Sequence, residues 1–422
     1  MFSFELYFFR VMKLNLLFTI GACSMLLFSC QEQKVDPLLM IESDVDYLAS
    51  DSLEGRESGT RGERLAAEYI AKRMKEIGLT GKGEDGFIQI FDFSPKVNPH
   101  KEKLDSNRTI QVSNVLGMID NGANKTVVIG AHYDHLGHGI SGSLHAEKDS
   151  SIHNGADDNA SGVALMLALA QELKNSEKAK KANYLFMAFS GEEMGLLGSN
   201  YFCKNPTIDL EMVHYMLNFD MVGRLDTSKG LAINGIGTNP NWTTELEKAN
   251  WENLSFVYGE SGVGPSDHTS FYLQDIPVLH FFTGQHEDYH KPSDDVEKIN
   301  YFGIHTLKEL IVRLAEQLDS KEQLEFVKTK DESEDNPRFT VTLGVMPDYL
   351  FQGDGMRIDG VTEGKPANKA GFLKGDIVIQ MDTVLVDGMK AYMKGLSLFE
   401  KGDSTVVKVQ RGENVIEEMV RF

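Results

Sequence analysis

Apolar residues recur along this chain in two alternating rhythms. Short unbroken runs at 126–131, 184–189, 213–219 and 276–281 are rich in β-branched and aromatic residues, which predicts buried strands. Between or after them the apolar positions space at three and four, which predicts helices over 163–173, 245–250 and 303–318. In the last of these, Leu307, Leu310, Ile311, Leu314 and Leu318 keep one face. The helix opening at Val163 is apolar almost all round, so it is expected inside the protein. Upstream, 41–80 reads as helix interrupted by the turn-rich Asp51-Ser52-Leu53-Glu54-Gly55-Arg56. Leu65, Tyr69, Ile70, Met74 and Ile77 mark its buried face, and Gly78 a stop. Residues 81–108 are polar and show no period. Asn121-Gly122, between strands expected at 109–120 and 126–132, predicts a hairpin.

Alternation of strand and helix predicts an α/β domain over 41–318, with a mostly parallel mixed sheet sandwiched by helices. The charged stretch 319–336, centred on Lys330-Asp331-Glu332-Ser333-Glu334-Asp335, reads as a linker. Residues 337–422 carry short strand patterns at 339–345, 356–361, 376–381, 404–409 and 415–421, with short helices near 366–370 and 389–399. They predict a small β-rich second domain. No internal repeat is present.

The first 30 residues change the picture of where the protein works. Arg10 and Lys13 precede an apolar run at 16–28 that is short for a membrane span, and Leu27-Phe28-Ser29-Cys30 resembles a bacterial lipobox. The expectation is a signal peptide over 1–30, lipid on Cys30 and a polar tether over 31–40. The protein would then be exported and lipid-anchored at a membrane face of the bacterial cell envelope. Cys203 is the cysteine left over, so no intramolecular disulfide is expected. With 41% apolar and 25% charged residues the 422-residue chain is ordinary for a globular protein. Its net charge of −21 argues against nucleic acid as a partner and leaves the lipid as the membrane contact.

Chemistry-bearing residues gather where the apolar runs end, which is where open α/β sheets collect ligands. His132 and Asp134 follow the first run, Ser190-Gly191-Glu192-Glu193 the second, and Asp220 ends the third. His290 lies beyond the last, and Asp157-Asp158 precedes the buried helix. Singly, a strand-end histidine is structural, an Asp-Asp pair caps a helix, and Glu-Glu is a solvated face. Together, nitrogen and oxygen ligands without thiolates at one sheet end point to a catalytic metal site. A bridging carboxylate would let two ions share it, and the Glu192-Glu193 pair could supply a ligand and a proton shuttle. Which member of either acidic pair does what stays open on these residues alone. His135, His138, His145 and His153 lie in a polar loop and are expected to be solvated.

These motifs, in this order across roughly 40–318 and with Leu53-Glu54-Gly55-Arg56 and Gly59-Thr60, resemble the di-zinc aminopeptidase family that includes bacterial leucyl aminopeptidases and aminopeptidase Y. The resemblance implies a zinc exopeptidase fold, two zinc ions (cobalt or manganese as substitutes) and hydrolysis of peptides at a free N-terminus. It implies His132, Asp158 and Asp220 on one ion and Asp158, Glu193 and His290 on the other. Glu192 would be the general base, Asp134 would orient His132, and Tyr289 would hydrogen-bond the oxyanion. Ser266-Asp267-His268 and Phe271 resemble a pocket-lining loop, or else a turn and a core aromatic. A carboxypeptidase clamp needs several arginines, and between residues 113 and 312 only Arg224 occurs. A single-zinc glutaminyl cyclase and a non-catalytic scaffold are the other readings. Thr342-Leu343-Gly344-Val345, Gly364-Lys365-Pro366-Ala367 and the stretch 370–378 resemble the PDZ domain of exported bacterial proteases. That implies a peptide C-terminus held near Leu343, Gly344 and Val345.

Overall fold

A computed structural model describes residues 36–94, 109–145, 150–330, 339–351, 353–362 and 364–422. The expected leader with Cys30, most of the tether before Pro37 and the centre of the charged run lie outside the described residues. Helix α1 (Pro37–Leu48) starts earlier than its periodicity suggested. Asp36 caps Leu38 through its side chain, and Pro37 fills a first-turn position where a missing N–H costs nothing. Helix α2 (Arg61–Ile77) is capped by the Thr60 hydroxyl and stopped by Gly78 in the left-handed region.

The chain then runs β1 (Thr80–Gly81), β2 (Ile88–Phe93), β3 (Ile110–Ile119), β4 (Thr126–His132), α3 (Gly162–Asn175), β5 (Asn183–Phe189), α4 (Leu197–Lys204) and β6 (Val213–Phe219). It continues β7 (Leu231–Asn234), α5 (Trp242–Ala249), β8 (Phe256–Gly259), α6 (His268–Tyr272), β9 (Val278–Phe282) and α7 (Tyr301–Leu318). These strands form one mixed sheet in the order β1-β3-β5-β4-β6-β9-β7-β8, with β2 paired to β3. Its centre, β5-β4-β6-β9, is parallel, and β1, β2 and β3 join it antiparallel. Every residue of β4, β5 and β6 is buried, as expected of parallel strands covered on both faces. Val127, Ile129 and Ala131 pack with α1, α2, α3, α5 and α7, while Val128 packs on the opposite face with Phe202 of α4 and Phe271 of α6.

Three expectations need correction. The Asn121-Gly122 hairpin does not form, because β5 lies between β3 and β4. β4 is apolar at nearly every position and takes the fully covered centre. The turn is tied instead to the entry of β5: the Asn183 side chain accepts from the N–H groups of Asn121 and Ala123, and Asn121 donates to the carbonyls of Ala179 and Ala182. The stretch 81–108 is not wholly irregular, since β2 pairs with β3 in register from Ile88 with Val115 to Phe93 with Ile110. The start of the charged linker is also no free tether. Asp319 accepts from the N–H groups of Lys180, Lys181 and Ala182 and from the Tyr184 hydroxyl, and Val327 N–H donates to the Thr238 carbonyl.

His214 gives this strap a pH dependence. Its ring is fully buried on β6, and Nδ1 accepts from the Leu324 N–H at 3.2 Å. Burial, helped by the nearby Lys125 charge, lowers the imidazole from 6.5 to about 4. The folded state therefore binds fewer protons than the unfolded state below pH 6.5, so stability is lost as pH falls from 6.5 toward 4. By linkage the contribution of His214 should shrink by about 2 kcal/mol between pH 7 and pH 5. Urea unfolding of wild type and His214→Gln checks this. The gap between the two should narrow by that amount on acidification, and a constant gap would remove His214 as the cause.

The second domain comprises β10 (Val345–Pro347), β11 (Met356–Val361), α8 (Pro366–Lys369), β12 (Ile377–Met381), β13 (Val384–Leu385), α9 (Met389–Leu396), β14 (Ser404–Arg411) and β15 (Asn414–Arg421). Its sheet is antiparallel, ordered β10-β11-β12-β14-β15 with β13 on β12, around Leu343, Ile358, Val378, Met381, Val407 and Val409. The first strand begins at Val345 rather than running through 339–345. Lys229 and Asp359 form an ion pair at 3.3 Å between the two domains. Among the described residues no helix is long and apolar enough to cross a membrane.

Candidate metal centre

His132 is the last residue of β4, so its backbone is fixed by the ladder while its ring leaves the sheet end. Its Nδ1 lies 3.2 Å from the Asp134 carbonyl, which leaves Nε2 to face the site. From Nε2, Asp158 Oδ1 and Asp220 Oδ1 are each 3.3 Å away. On the other side of Asp158, Oδ2 is 3.2 Å from His290 Nε2, which in turn is 3.3 Å from Glu193 Oε2. The two oxygens of one carboxylate thus serve two separate nests.

The local chain explains why Asp158 points inward and Asp157 does not. Asp294 is buried, and its Oδ2 accepts from the N–H groups of both Asp157 and Asp158 at 3.0 and 3.1 Å. Asp157 turns away and accepts from the Gly223 N–H at 2.6 Å and the Ser161 hydroxyl at 3.0 Å, with His286 Nε2 at 3.1 Å. Gly155 enters this turn at φ +56, where a Cβ would meet the His135 ring and the Asp158 carbonyl. His290 itself holds a left-handed φ of +54, its carbonyl accepting from Leu144 N–H and its Nδ1 lying 3.0 Å from the Gly142 carbonyl.

Around the nests the remaining expected residues fall as follows. Glu192 presents a ligand-capable oxygen within 4.8 Å of those of His132 and Asp220. Its N–H donates to Asp134 Oδ1 at 3.1 Å, while Ser58 donates to Asp134 Oδ2 at 2.9 Å. The Asp134 carboxylate is thus fixed between two loops, and its carbonyl is the group nearer to His132, with Oδ1 at 3.8 Å. The Tyr289 ring stacks on His290 with centroids 3.9 Å apart. Burial and the carboxylates of Asp158 and Glu193 push the Tyr289 phenol far up, so it remains a hydroxyl donor. Leu343, Gly344 and Val345 lie in the second domain, in the turn that leads into β10 and at its first residue.

Two expectations about histidines are overturned. His135 and His153 are buried rather than solvated, and His138 and His145 are half-buried. His135 Nδ1 hydrogen-bonds Glu193 Oε1 at 2.8 Å, which makes it part of the second nest. The second histidine of His132-Tyr133-Asp134-His135 was the available signal, and its polar, glycine-rich surroundings disguised it. His153 is held by Ser143 Oγ at 2.7 Å and the Ser151 carbonyl at 3.1 Å. Ser266, Asp267, His268 and Phe271 are all buried as well. Phe271 packs on Phe189 and Phe202 as a core aromatic.

The donor set fits divalent cations. Two ligands at roughly 2.0–2.1 Å on one tetrahedral ion lie about 3.3–3.4 Å apart. That is the spacing of the His132, Asp158, Asp220, Glu193 and His290 contacts, and it is longer than an ordinary charged hydrogen bond. The electrostatics agree. Burial alone would lower the His290 imidazole, but Asp158 and Glu193 outweigh it and raise it to about 11. His132 is likewise driven well up by Asp220 and Glu192 against the effect of burial. Burial raises the Glu192 carboxyl far above its usual range. The cluster is short of positive charge, and its imidazoles are drawn to protons in compensation.

Comparison with known proteins bears on the same residues. Residues 114–315 match the model of peptidase family M28, and residues 324–420 that of a PDZ domain. Aminopeptidase YwaD of Bacillus subtilis (strain 168) is 30% identical over 182 residues, which is 40% of this chain and 39% of that protein. The chain therefore spans about two fifths of the length of that relative. Among solved structures, BSAP, a zinc aminopeptidase from Bacillus subtilis, superposes with a TM-score of 0.53 at 17% identity, over 70% of this chain and 98% of its own. A glutaminyl cyclase from Porphyromonas gingivalis superposes with a TM-score of 0.51 at 16% identity, over 67% of this chain and 99% of its own. At these identities the likeness is one of fold.

Proposed function

Given that residues 114–315 form a peptidase family M28 domain and residues 324–420 a PDZ domain, we propose that the chain is a co-catalytic two-zinc aminopeptidase removing N-terminal residues from peptides. The carrying observation is Asp158, whose two oxygens lie 3.3 Å from His132 and 3.2 Å from His290 in separate nests. In this reading His132, Asp158 and Asp220 would hold one zinc, and Asp158, Glu193 and His290 the other. Zinc bound there would supply Lewis acidity to a water and to the scissile carbonyl. Glu192 takes the proton of the attacking water and passes it to the leaving amine. The Tyr289 hydroxyl donates to the developing oxyanion. Asp134 and His135 hold His132 and Glu193 in orientation, as outer partners of metal ligands do. The PDZ domain takes up peptide C-termini at Leu343, Gly344 and Val345. Export and a lipid anchor at Cys30, in a bacterial cell envelope, complete the proposal on the strength of residues 1–30.

The rival reading, cyclisation of an N-terminal glutamine on a single zinc, draws on the cyclase likeness in fold. One experiment separates the two. Purified chain should release p-nitroaniline from a panel of amino-acid p-nitroanilides. A chelator should bring release to background and zinc should restore it, with metal analysis giving about two ions per chain. About one ion together with a pyroglutamyl product would favour the cyclase. No release from any panel member would remove the aminopeptidase reading.

A further inference from the structure

β10 is an edge strand: β11 pairs with one side of it and no described strand with the other. Its register fixes which backbone groups face out. The Gly344 carbonyl accepts from Thr362 N–H, and Asp348 N–H donates to the Arg357 carbonyl, both at 2.9 Å. Residues 344, 346 and 348 therefore turn their polar groups toward β11, and the ladder keeps this alternation across its shift between Met346 and Pro347. Residues 345 and 347 face the open edge. Residue 347 is proline, which has a carbonyl to offer and no N–H. The open edge thus presents the Val345 N–H, the Val345 carbonyl and the Pro347 carbonyl.

The turn before the strand suits a carboxylate of limited reach. The Gly344 N–H is already given to Thr342 Oγ1 at 3.0 Å, so the Val345 N–H is the outward donor beside it. Gly344 sits at φ +71, and a Cβ there would lie 2.2 Å from Lys365 Cβ. The aliphatic stem of Lys365 therefore packs against the turn at Gly344, and a side chain at 344 would displace it.

We propose that this PDZ domain reads only the last two residues of a peptide, holding its terminal carboxylate and final N–H without adding a longer strand. This rests on the peptide-capture reading given above. The last ligand residue donates its N–H to the Val345 carbonyl, and its carboxylate accepts from the Val345 N–H. Two residues further back, the ligand carbonyl would turn toward position 347, where the donor is missing, and its lost hydration goes uncompensated. For an enzyme that shortens chains from the N-terminus, such a reader holds a peptide equally well at every length down to short products.

The test uses the full chain and desamino peptides, in which hydrogen replaces the N-terminal amine, so that they carry no free N-terminus for hydrolysis and no extra carbonyl. Peptides of two to five residues that share their last two are titrated calorimetrically. Wild-type affinities should agree within about threefold across the series. Pro347→Ala should tighten the four- and five-residue peptides by about three- to tenfold, the worth of one backbone hydrogen bond, and leave the two-residue peptide unchanged. A wild-type affinity climbing more than tenfold with length, or no gain in Pro347→Ala, overturns the two-residue reading and leaves carboxylate capture standing. Equal binding of a C-terminally amidated peptide, or no binding at all, overturns carboxylate capture and this inference with it. Should Pro347→Ala not fold, the wild-type length series decides.

Discussion

Glu192→Gln should lower kcat on an amino-acid p-nitroanilide by about two to four orders of magnitude, the usual contribution of a positioned general base, with KM and zinc content little changed. Glutamine keeps the shape and the hydrogen-bonding oxygen but cannot receive a proton. The backbone of Glu192 is pinned by its N–H to Asp134, so the substitution leaves the loop in place. Zinc content is the discriminating readout, because the Glu192 carboxylate also lies within 4.8 Å of ligand-capable atoms of His132 and Asp220. If Glu192→Gln strips a metal ion, Glu192 is a ligand and the assigned division of labour with Glu193 fails. Glu193→Gln should behave in the opposite way and lose zinc, since Glu193 meets His290 at 3.3 Å and His135 at 2.8 Å. Activity above about a tenth of wild type in a zinc-replete Glu192→Gln would mean that another group takes the proton.

Residue chemistry at strand ends made much of this site readable in advance. His132, Glu192, Glu193 and Asp220 follow apolar runs that the structure shows as β4, β5 and β6, and a parallel sheet brings such ends together whatever their distance in sequence. Asp157 against Asp158 was different. Both carboxylates are short, acidic and adjacent, and only the clamp of Asp294 on their two N–H groups turns one in and one away. That clamp comes from residues more than a hundred positions on, so no local pattern records it. His135 was hidden for a related reason: a histidine among glycines and polar residues looks solvated, and it is the fold that buries it against Glu193. β7 and β8 went unread because four-residue segments ending in Asn234 and Gly259 carry too few apolar positions to set a period. The hairpin at Asn121-Gly122 failed because turn chemistry governs the turn and not its neighbours. A more fully apolar strand took the central place.

Replacing Arg56 should damage the protein as a fold before it damages the chemistry. Arg56 is 1% exposed, yet among the described residues its hydrogen-bond partners are carbonyls and not carboxylates. Its Nε donates to the Tyr133 carbonyl at 2.8 Å and Nη2 to the Gly155 carbonyl at 3.0 Å, while Nη1 reaches the carbonyls of Asn154, at 2.7 Å, and Leu48. One guanidinium therefore joins the loop after His132, the turn before Asp158 and the end of α1. Burial lowers its pKa to about 10, partly opposed by Asp158, Asp134, Asp294 and Glu193, so it stays charged at neutral pH. It acts as a fixed cation beneath a crowded set of carboxylates. Arg56→Met removes the charge and leaves four carbonyls without their donor, and should cost about 3–5 kcal/mol in urea unfolding of the metal-free chain. Arg56→Lys keeps the charge but not the planar fork, so it should recover only part of that loss. Zinc affinity should fall in both variants, more in Arg56→Met, because the backbones that aim His132 and Asp158 lose their common tie. If Arg56→Met unfolds at the wild-type urea midpoint, the three segments are held by other contacts and the guanidinium is not what positions the nests.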